Sequence, residues 1–276
     1  MAEEEFAEFA AMELEGWSNK EIAQSYADGF AKVADQSAAA LAEQVWAGYG
    51  CKALDLCCGQ GNVSAMLVAE HAKVTGLDFS PAMLELARAN VPEAEFVQGD
   101  AINLPFEDQS FDAVTIGFGI LHVPDPMRVL SEAHRVLQPG GRIAFSVWQA
   151  ATGPSMLGYL FAAIGQSGDP SVGLPDGPGL HDFAHPDVAL PALERTGFTD
   201  ACQTVVRSEC TLATADQPVD LFVTGTVRGN ALLSRQSPKH LAAICATVRD
   251  MVVENHGAEG PWTVPLPAVI TSATAG

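Results

Sequence analysis

Four short clusters, each just after an apolar run, carry groups suited to holding and activating a small ligand. The first is Cys57-Cys58-Gly59-Gln60-Gly61-Asn62, where Gly59 and Gly61 let backbone approach a ligand more closely than a side chain would allow. The second is Asp78, a carboxylate able to accept both hydroxyls of a ribose. The third is Gly99-Asp100-Ala101, and the fourth runs from Gly117 and Phe118 to His122, adding an imidazole within reach of whatever the glycines hold. A Gly-x-Gly pair alone is common. Four signals in this order, each at a strand end, converge on one ligand.

The elements that must position them follow from periodicity. Ala53 to Cys57, Lys73 to Asp78, Glu95 to Gly99, Phe111 to Gly117 and Arg142 to Trp148 read as five strands. Between them lie helical patterns, one begun by Ser80-Pro81 and one by Asp125-Pro126, the latter stopped by Pro139-Gly140-Gly141. Strands alternating with helices predict a doubly wound, Rossmann-like α/β fold with a mostly parallel sheet and ligands at the carboxyl ends of its strands. The first fifty residues read as helices, with Ser18 and Glu21 as a capping box ahead of Ile22, Tyr26, Phe30 and Val33. The expected organisation is a helical lid over 1–48 and a catalytic domain over 49–276, with lid insertions at 149–185 and 214–260. Residues 202–213 are expected as a sixth strand, and 217–228 and 237–255 as helices.

At 276 residues, 48% hydrophobic and 17% charged, the chain can bury a sizeable core. Its formal charge of −20 disfavours a phosphate backbone or an anionic membrane as partner. An acidic start lacks the basic region of a signal peptide, and no apolar run is long enough to span a bilayer, so a cytoplasmic protein is expected. The six Cys show no paired spacing for a disulfide framework or a structural metal, and read as reduced thiols in the interior.

The text from Ala53 to Asn62 (ALDLCCGQGN), from Gly76 to Leu84, from Gly99 to Phe106, from Phe111 to Val114, and from Leu121 to Arg142 resembles the class I S-adenosylmethionine-dependent methyltransferases. It is most similar to the branch with a type-11 methyltransferase domain, which includes ubiquinone and menaquinone C-methyltransferases. The resemblance covers about 50–148 and implies a seven-stranded sheet with a terminal antiparallel hairpin, to which 202–213 and 262–273 would contribute. It also implies S-adenosylmethionine as cofactor and S-adenosylhomocysteine as product. By that likeness Asp55 would organise the glycine loop, and Cys57, Gly59 and Gly61 would line the methionine moiety. Asp78 would hold the ribose, with Phe79 and Met83 beside the adenine. Asp100 and Ala101 would contact the adenine edge, and Gly117 and Phe118 would lie near the sulfonium. Tyr26, Phe30 and Gln36 stand where the N-terminal helices would fold over the cofactor.

Two other readings use the same glycines. A nicotinamide-dependent dehydrogenase needs Gly or Ala for close helix packing and pyrophosphate approach where this chain has Ser64, and leaves the Gly99-Asp100 pair without a role. A non-catalytic S-adenosylmethionine carrier needs no closed substrate chamber, which the extra segments suggest. After the fourth strand there is no Asn-Pro-Pro-Tyr element of the kind that base-methylating enzymes carry. With the acidic charge, this favours a small-molecule acceptor methylated at oxygen or carbon. His122 is the candidate base for that step, although the expectation from sequence is that its ring bonds backbone and shapes the turn before Pro124; His181 and His185 are second candidates for touching substrate.

Overall fold

The computed structural model describes residues 6–150 and 153–276, so residues 1–5 of the expected lid and 151–152 of the expected insertion lie outside the described residues. The chain begins with helices α1 (Ala7–Ser18) and α2 (Lys20–Ser25), a π-helical turn over Tyr26–Phe30, and helices α3 (Ala31–Ala34) and α4 (Ala38–Gln44). Strand β1 (Lys52–Leu56) follows, then α5 (Asn62–Ala69), β2 (Lys73–Asp78), α6 (Pro81–Asn90), β3 (Glu95–Gln98), β4 (Phe111–Gly117), α7 (Pro126–Val136) and β5 (Leu137–Trp148). Beyond these come α8 (Met156–Ser167), α9 (Pro186–Arg195), β6 (Phe198–Val206) and β7 (Glu209–Leu212). The chain closes with α10 (Gln217–Gly225), α11 (Val227–Leu233), α12 (Pro238–His256), β8 (Trp262–Pro265) and β9 (Ala268–Ala275).

Seven strands form one sheet in the order β3-β2-β1-β4-β5-β9-β6, with β9 antiparallel to both of its neighbours and the remaining pairs parallel. Period-2 alternation sends successive residues to opposite layers. Ala53, Ala113 and Ala144 face α4 and α5 through Leu41, Val45, Val63 and Leu67, whereas Leu54, Val114, Ile143 and Phe145 share the larger core with Val129, Leu130 and Leu193. The strand order reverses at β1, between β2 and β4, which opens a crevice at the carboxyl ends of these strands.

Local chemistry moved several boundaries. Helix α2 is capped by Asn19, not Ser18: the Asn19 side chain accepts from the Glu21 and Ile22 N–H groups, while Ser18 is the last residue of α1. The expected strand 202–213 is two strands, because its partner carries prolines at 265 and 267, and Pro267 has no N–H for the ladder. β7 and β8 pair as a separate two-stranded sheet beyond that kink, held by the Leu266 N–H donating to the Ser208 carbonyl at 2.8 Å. The expected helix 217–228 breaks at Thr226, whose hydroxyl caps α11 through the Gly229 N–H. Strand β5 begins at Leu137, before the Pro-Gly-Gly turn and not after it. Cys202 is exposed on the edge strand β6, so not all thiols are interior. Among the described residues no helix is long and apolar enough to cross a membrane.

Candidate cofactor and acceptor cavity

Asp55 ties together the three elements that shape the crevice. It lies opposite Thr115 in the β1–β4 register, so the Thr115 hydroxyl donates to Oδ1 at 2.9 Å, and Ser64, in the first turn of α5, donates to Oδ2 at 2.7 Å. Burial pushes its carboxyl up to about 6, against the lowering effect of the two hydroxyls. The loop between β1 and α5 turns through left-handed backbone at Cys57 (φ 53°), Gly59 (φ 54°) and Gly61 (φ 90°). A Cβ at Gly59 would meet nothing within 4 Å, so the backbone there faces open space. The opposing loop presses close: a Cβ on Gly119 would lie 2.3 Å from the Cβ of Cys57. Burial, with the charges of Asp78, Asp55 and Asp100, raises the Cys57 thiol well above its usual range, so it stays protonated.

Asp78, at the end of β2, is buried and accepts the Gly59 N–H on Oδ2 (2.9 Å) and the Ser80 N–H on Oδ1 (2.8 Å). Burial raises its carboxyl, and these two bonds and His122 hold the rise back. Each oxygen keeps a second lone-pair direction for a ligand hydroxyl. Gln60 Oε1 is buried against the same space and has no hydrogen-bond partner. An unpartnered amide oxygen, a carboxylate with a lone-pair direction free on each oxygen and an open glycine backbone therefore sit together, a set of acceptors that fits a ligand bringing an ammonium and a ribose.

These groups form one end of a cavity of about 370 Å³. Its roof is N-terminal: Phe9, Trp17, Tyr26, Phe30 and Ala34 line it. Its far wall comes from Leu157, Leu160, Phe161 and Ile164 of α8, the 174–180 loop, and Phe222, Leu232 and Leu233. Trp148 stacks on Phe118 at 4.0 Å between the two ends. α4, by contrast, packs mainly on the sheet and reaches the cavity through Leu41.

Of the residues expected from sequence, Tyr26, Phe30, Asp55, Cys57, Gly59, Asp78, Phe79, Met83, Gly117, Phe118 and His122 line this cavity. Gly61 does not; it heads α5 against Val91 and Ala87. Asp100 is exposed and its Oδ1 accepts from Ile102 N–H in its own loop, while Ala101 is buried in the core. Gln36 spends its amide on the backbone N–H and carbonyl of Glu209, binding the preface to β7. His181 Nδ1 lies 3.2 Å from the Trp148 carbonyl and His185 is exposed ahead of α9, so neither lines the cavity.

Among the lining residues that escaped the sequence reading are Gln60, Trp17 and Arg228, and with them Glu13, which bonds the last two. Glu13 is buried and accepts from Arg228 Nε on Oε1 (2.9 Å) and from Trp17 Nε1 on Oε2 (3.0 Å), with His122 Nδ1 2.9 Å from the same Oε2. Arg228 also reaches the Leu121 carbonyl and covers the Phe9 ring. His122 thus bonds a carboxylate 109 positions away, and its ring does not cap the turn before Pro124. The available signal was an acid at the centre of the helical stripe Phe9, Glu13, Trp17, where solvent-facing spacing would have put it elsewhere.

A family profile described as a methyltransferase domain matches residues 54–145. A demethylmenaquinone methyltransferase of Staphylococcus epidermidis is 51% identical over 100 residues, covering 34% of this chain and 42% of that protein. The chain thus spans less than half the length of the curated relatives it matches. In fold it is similar to the YcgJ protein of Bacillus subtilis, with a TM-score of 0.58 at 19% identity over 87% of this chain and 97% of that one. A Haemonchus contortus phosphoethanolamine N-methyltransferase, solved with S-adenosylhomocysteine, aligns with a TM-score of 0.52 at 17% identity over 87% of this chain and 52% of that one. The strand-end loops around the crevice thus fall within the segment, 54–145, that the methyltransferase-domain profile matches.

Proposed function

We propose that the protein transfers a methyl group from S-adenosylmethionine to a small, largely apolar acceptor at oxygen or carbon. The observation that carries this is the joining of two unlike spaces in one cavity: a polar cradle of Gly59, Gln60 and Asp78, and an apolar chamber roofed by α1 to α3. Asp78 would hold the ribose diol, Gln60 Oε1 the ammonium, and Phe79 and Met83 the adenine. The cofactor supplies an electrophilic methyl group, and the chain's own part is to align the acceptor and exclude water. Relatives named demethylmenaquinone methyltransferases are consistent with an apolar acceptor.

Ser64 hydrogen-bonds Asp55 where a dinucleotide site would need Gly or Ala, so the nicotinamide alternative has no support from the loop. A bare cofactor carrier would have no use for the apolar chamber. The segments 7–34, 153–180 and 214–233 are on this reading a lid and walls for the acceptor. Calorimetry tests the proposal: S-adenosylhomocysteine should bind saturably and NAD should not. Saturable NAD binding with no response to S-adenosylhomocysteine would overturn it.

A further inference from the structure

We infer that Glu13 is a positioning residue for His122, fixing the ring so that Nδ1 carries the hydrogen and Nε2 offers its lone pair to take the proton a methyl acceptor gives up. The inference rests on the methyl-transfer reading above. Three ring or guanidinium nitrogens converge on one carboxylate whose side chain is 2% exposed. Arg228 Nε and Trp17 Nε1 can only donate, so both carboxylate oxygens act as acceptors. Burial opposes the charged form of Glu13, yet the charges and hydrogen bonds of His122 and Arg228 together hold its carboxyl below the ordinary glutamate range. An ionised carboxylate has no hydrogen to give, so the short contact requires His122 Nδ1 to be the donor. The neutral ring must then carry its lone pair on Nε2, which has no hydrogen-bond partner among the described residues, while the residue itself lines the cavity.

The charged groups around the ring are Glu13 from α1, Arg228 from α11 and Asp78 from the end of β2, and the edge-on Trp17 ring holds its plane at 5.2 Å. The two carboxylates offset the positive charge that arrives with a proton, and Arg228 limits that effect by sharing Glu13. In the step itself the acceptor's X–H bond breaks with its proton passing to Nε2, the freed pair forms the X–CH₃ bond, and the methyl–sulfur bond breaks with its pair left on sulfur. The imidazolium then returns its proton to water after product leaves. Neither Glu13 nor Arg228 lies in the matched 54–145 segment, so this arrangement is supplied by the lid and an insertion around a shared cofactor fold.

The test is the ring tautomer, read from two-bond ¹H–¹⁵N correlations of His122 in the full-length protein at pH 8, with and without S-adenosylhomocysteine and assigned with His122→Gln. Wild type should show a protonated Nδ1 and a bare Nε2. In Glu13→Gln an amide cannot accept from three donors, so the tautomer population should shift, while S-adenosylhomocysteine affinity stays within about threefold. A wild-type ring protonated on Nε2, or a tautomer untouched by Glu13→Gln, overturns the inference. Should Glu13→Gln fail to fold, the wild-type tautomer decides alone. Loss of S-adenosylhomocysteine binding by wild type would instead sink the methyl-transfer reading and leave the tautomer result standing, so the two failures are separate.

Discussion

Replacing Asp55 by asparagine should stabilise the protein at neutral pH while leaving cofactor affinity nearly unchanged. Asp55 is 1% exposed, and burial lifts its carboxyl from an ordinary 3.8 to about 6. Because the folded value lies above the unfolded one, the unfolded chain ionises first while the folded chain still holds its proton. Stability therefore falls as pH rises from about 4 to about 6 and stays lower above that, a difference of about 3 kcal/mol. Asparagine has no charge to bury, which removes this loss. Its amide meets the same Ser64 and Thr115 hydroxyls as the protonated carboxyl does, accepting from one and donating to the other, and its second amide hydrogen, buried without a partner, costs about 1 kcal/mol.

The expected result is a variant about 2 kcal/mol more stable than wild type at pH 8 and about 1 kcal/mol less stable near pH 4. Urea unfolding of both proteins at several pH values measures it, and taking the difference cancels the titrations the two share. Calorimetry at pH 8 should find S-adenosylhomocysteine affinity within about threefold, since both Asp55 oxygens point to Ser64 and Thr115. A gap between the proteins that does not change with pH would refute the reasoning.

Asp78→Asn should weaken S-adenosylhomocysteine binding by more than about tenfold by calorimetry, whereas Asp100→Ala, at an exposed site outside the cavity, should change it by less than about threefold. Glu13→Ala strands a buried Arg228 and should cost about 3–5 kcal/mol in urea unfolding. Because the Glu13 carboxyl is lowered in the fold, its contribution is complete above about pH 4.5 and is lost as pH falls through the folded value, so the penalty should shrink in acid. His122→Ala should lower kcat by about 10²- to 10⁴-fold with S-adenosylhomocysteine affinity retained, measured with any acceptor that turns over; a loss below tenfold would leave the ring only its structural tie to Glu13. Hydrogen exchange should show residues 10–34 gaining protection on cofactor binding while 38–44, packed on the sheet, change little.

What the sequence made legible was local. Each strand-end cluster lies within a few residues of the strand that aims it, so Asp55, Gly59, Asp78 and Gly117 could be placed from periodicity and turn chemistry. The Glu13–Arg228 pair is separated by 215 positions, and no local pattern brings an acid in α1 to a base in α11. Gly16 shows how tight that meeting is: a Cβ there would lie 2.5 Å from Val227. Asp100 is harder to place for a different reason. It has the residue type expected at a strand end, but its loop folds back through Ile102 and Asn103, and Oδ1 accepts from the Ile102 N–H. Ser18 and Asn19 are adjacent cap formers, and composition alone does not say which one leaves helical geometry.

The N-terminal helices are fastened to the strand-end loops and not merely laid across them. The Asn62 side chain, at the head of α5, bonds Asp35. Ser80, whose N–H holds Asp78, donates its hydroxyl to the Trp17 carbonyl at 2.7 Å. His122, in the loop after β4, is held by Glu13. The first two ties end two positions from Gln60 and Asp78, and the third ends in the loop after β4 that lines the same cavity, so on the lid reading an opening would loosen the strand-end loops. Binding energy gained there by the proposed cofactor would then be spent partly on closing the roof. The apolar chamber would therefore be completed after the cofactor is in place, and an acceptor would meet a site whose proton-accepting ring has already been oriented by the same closure.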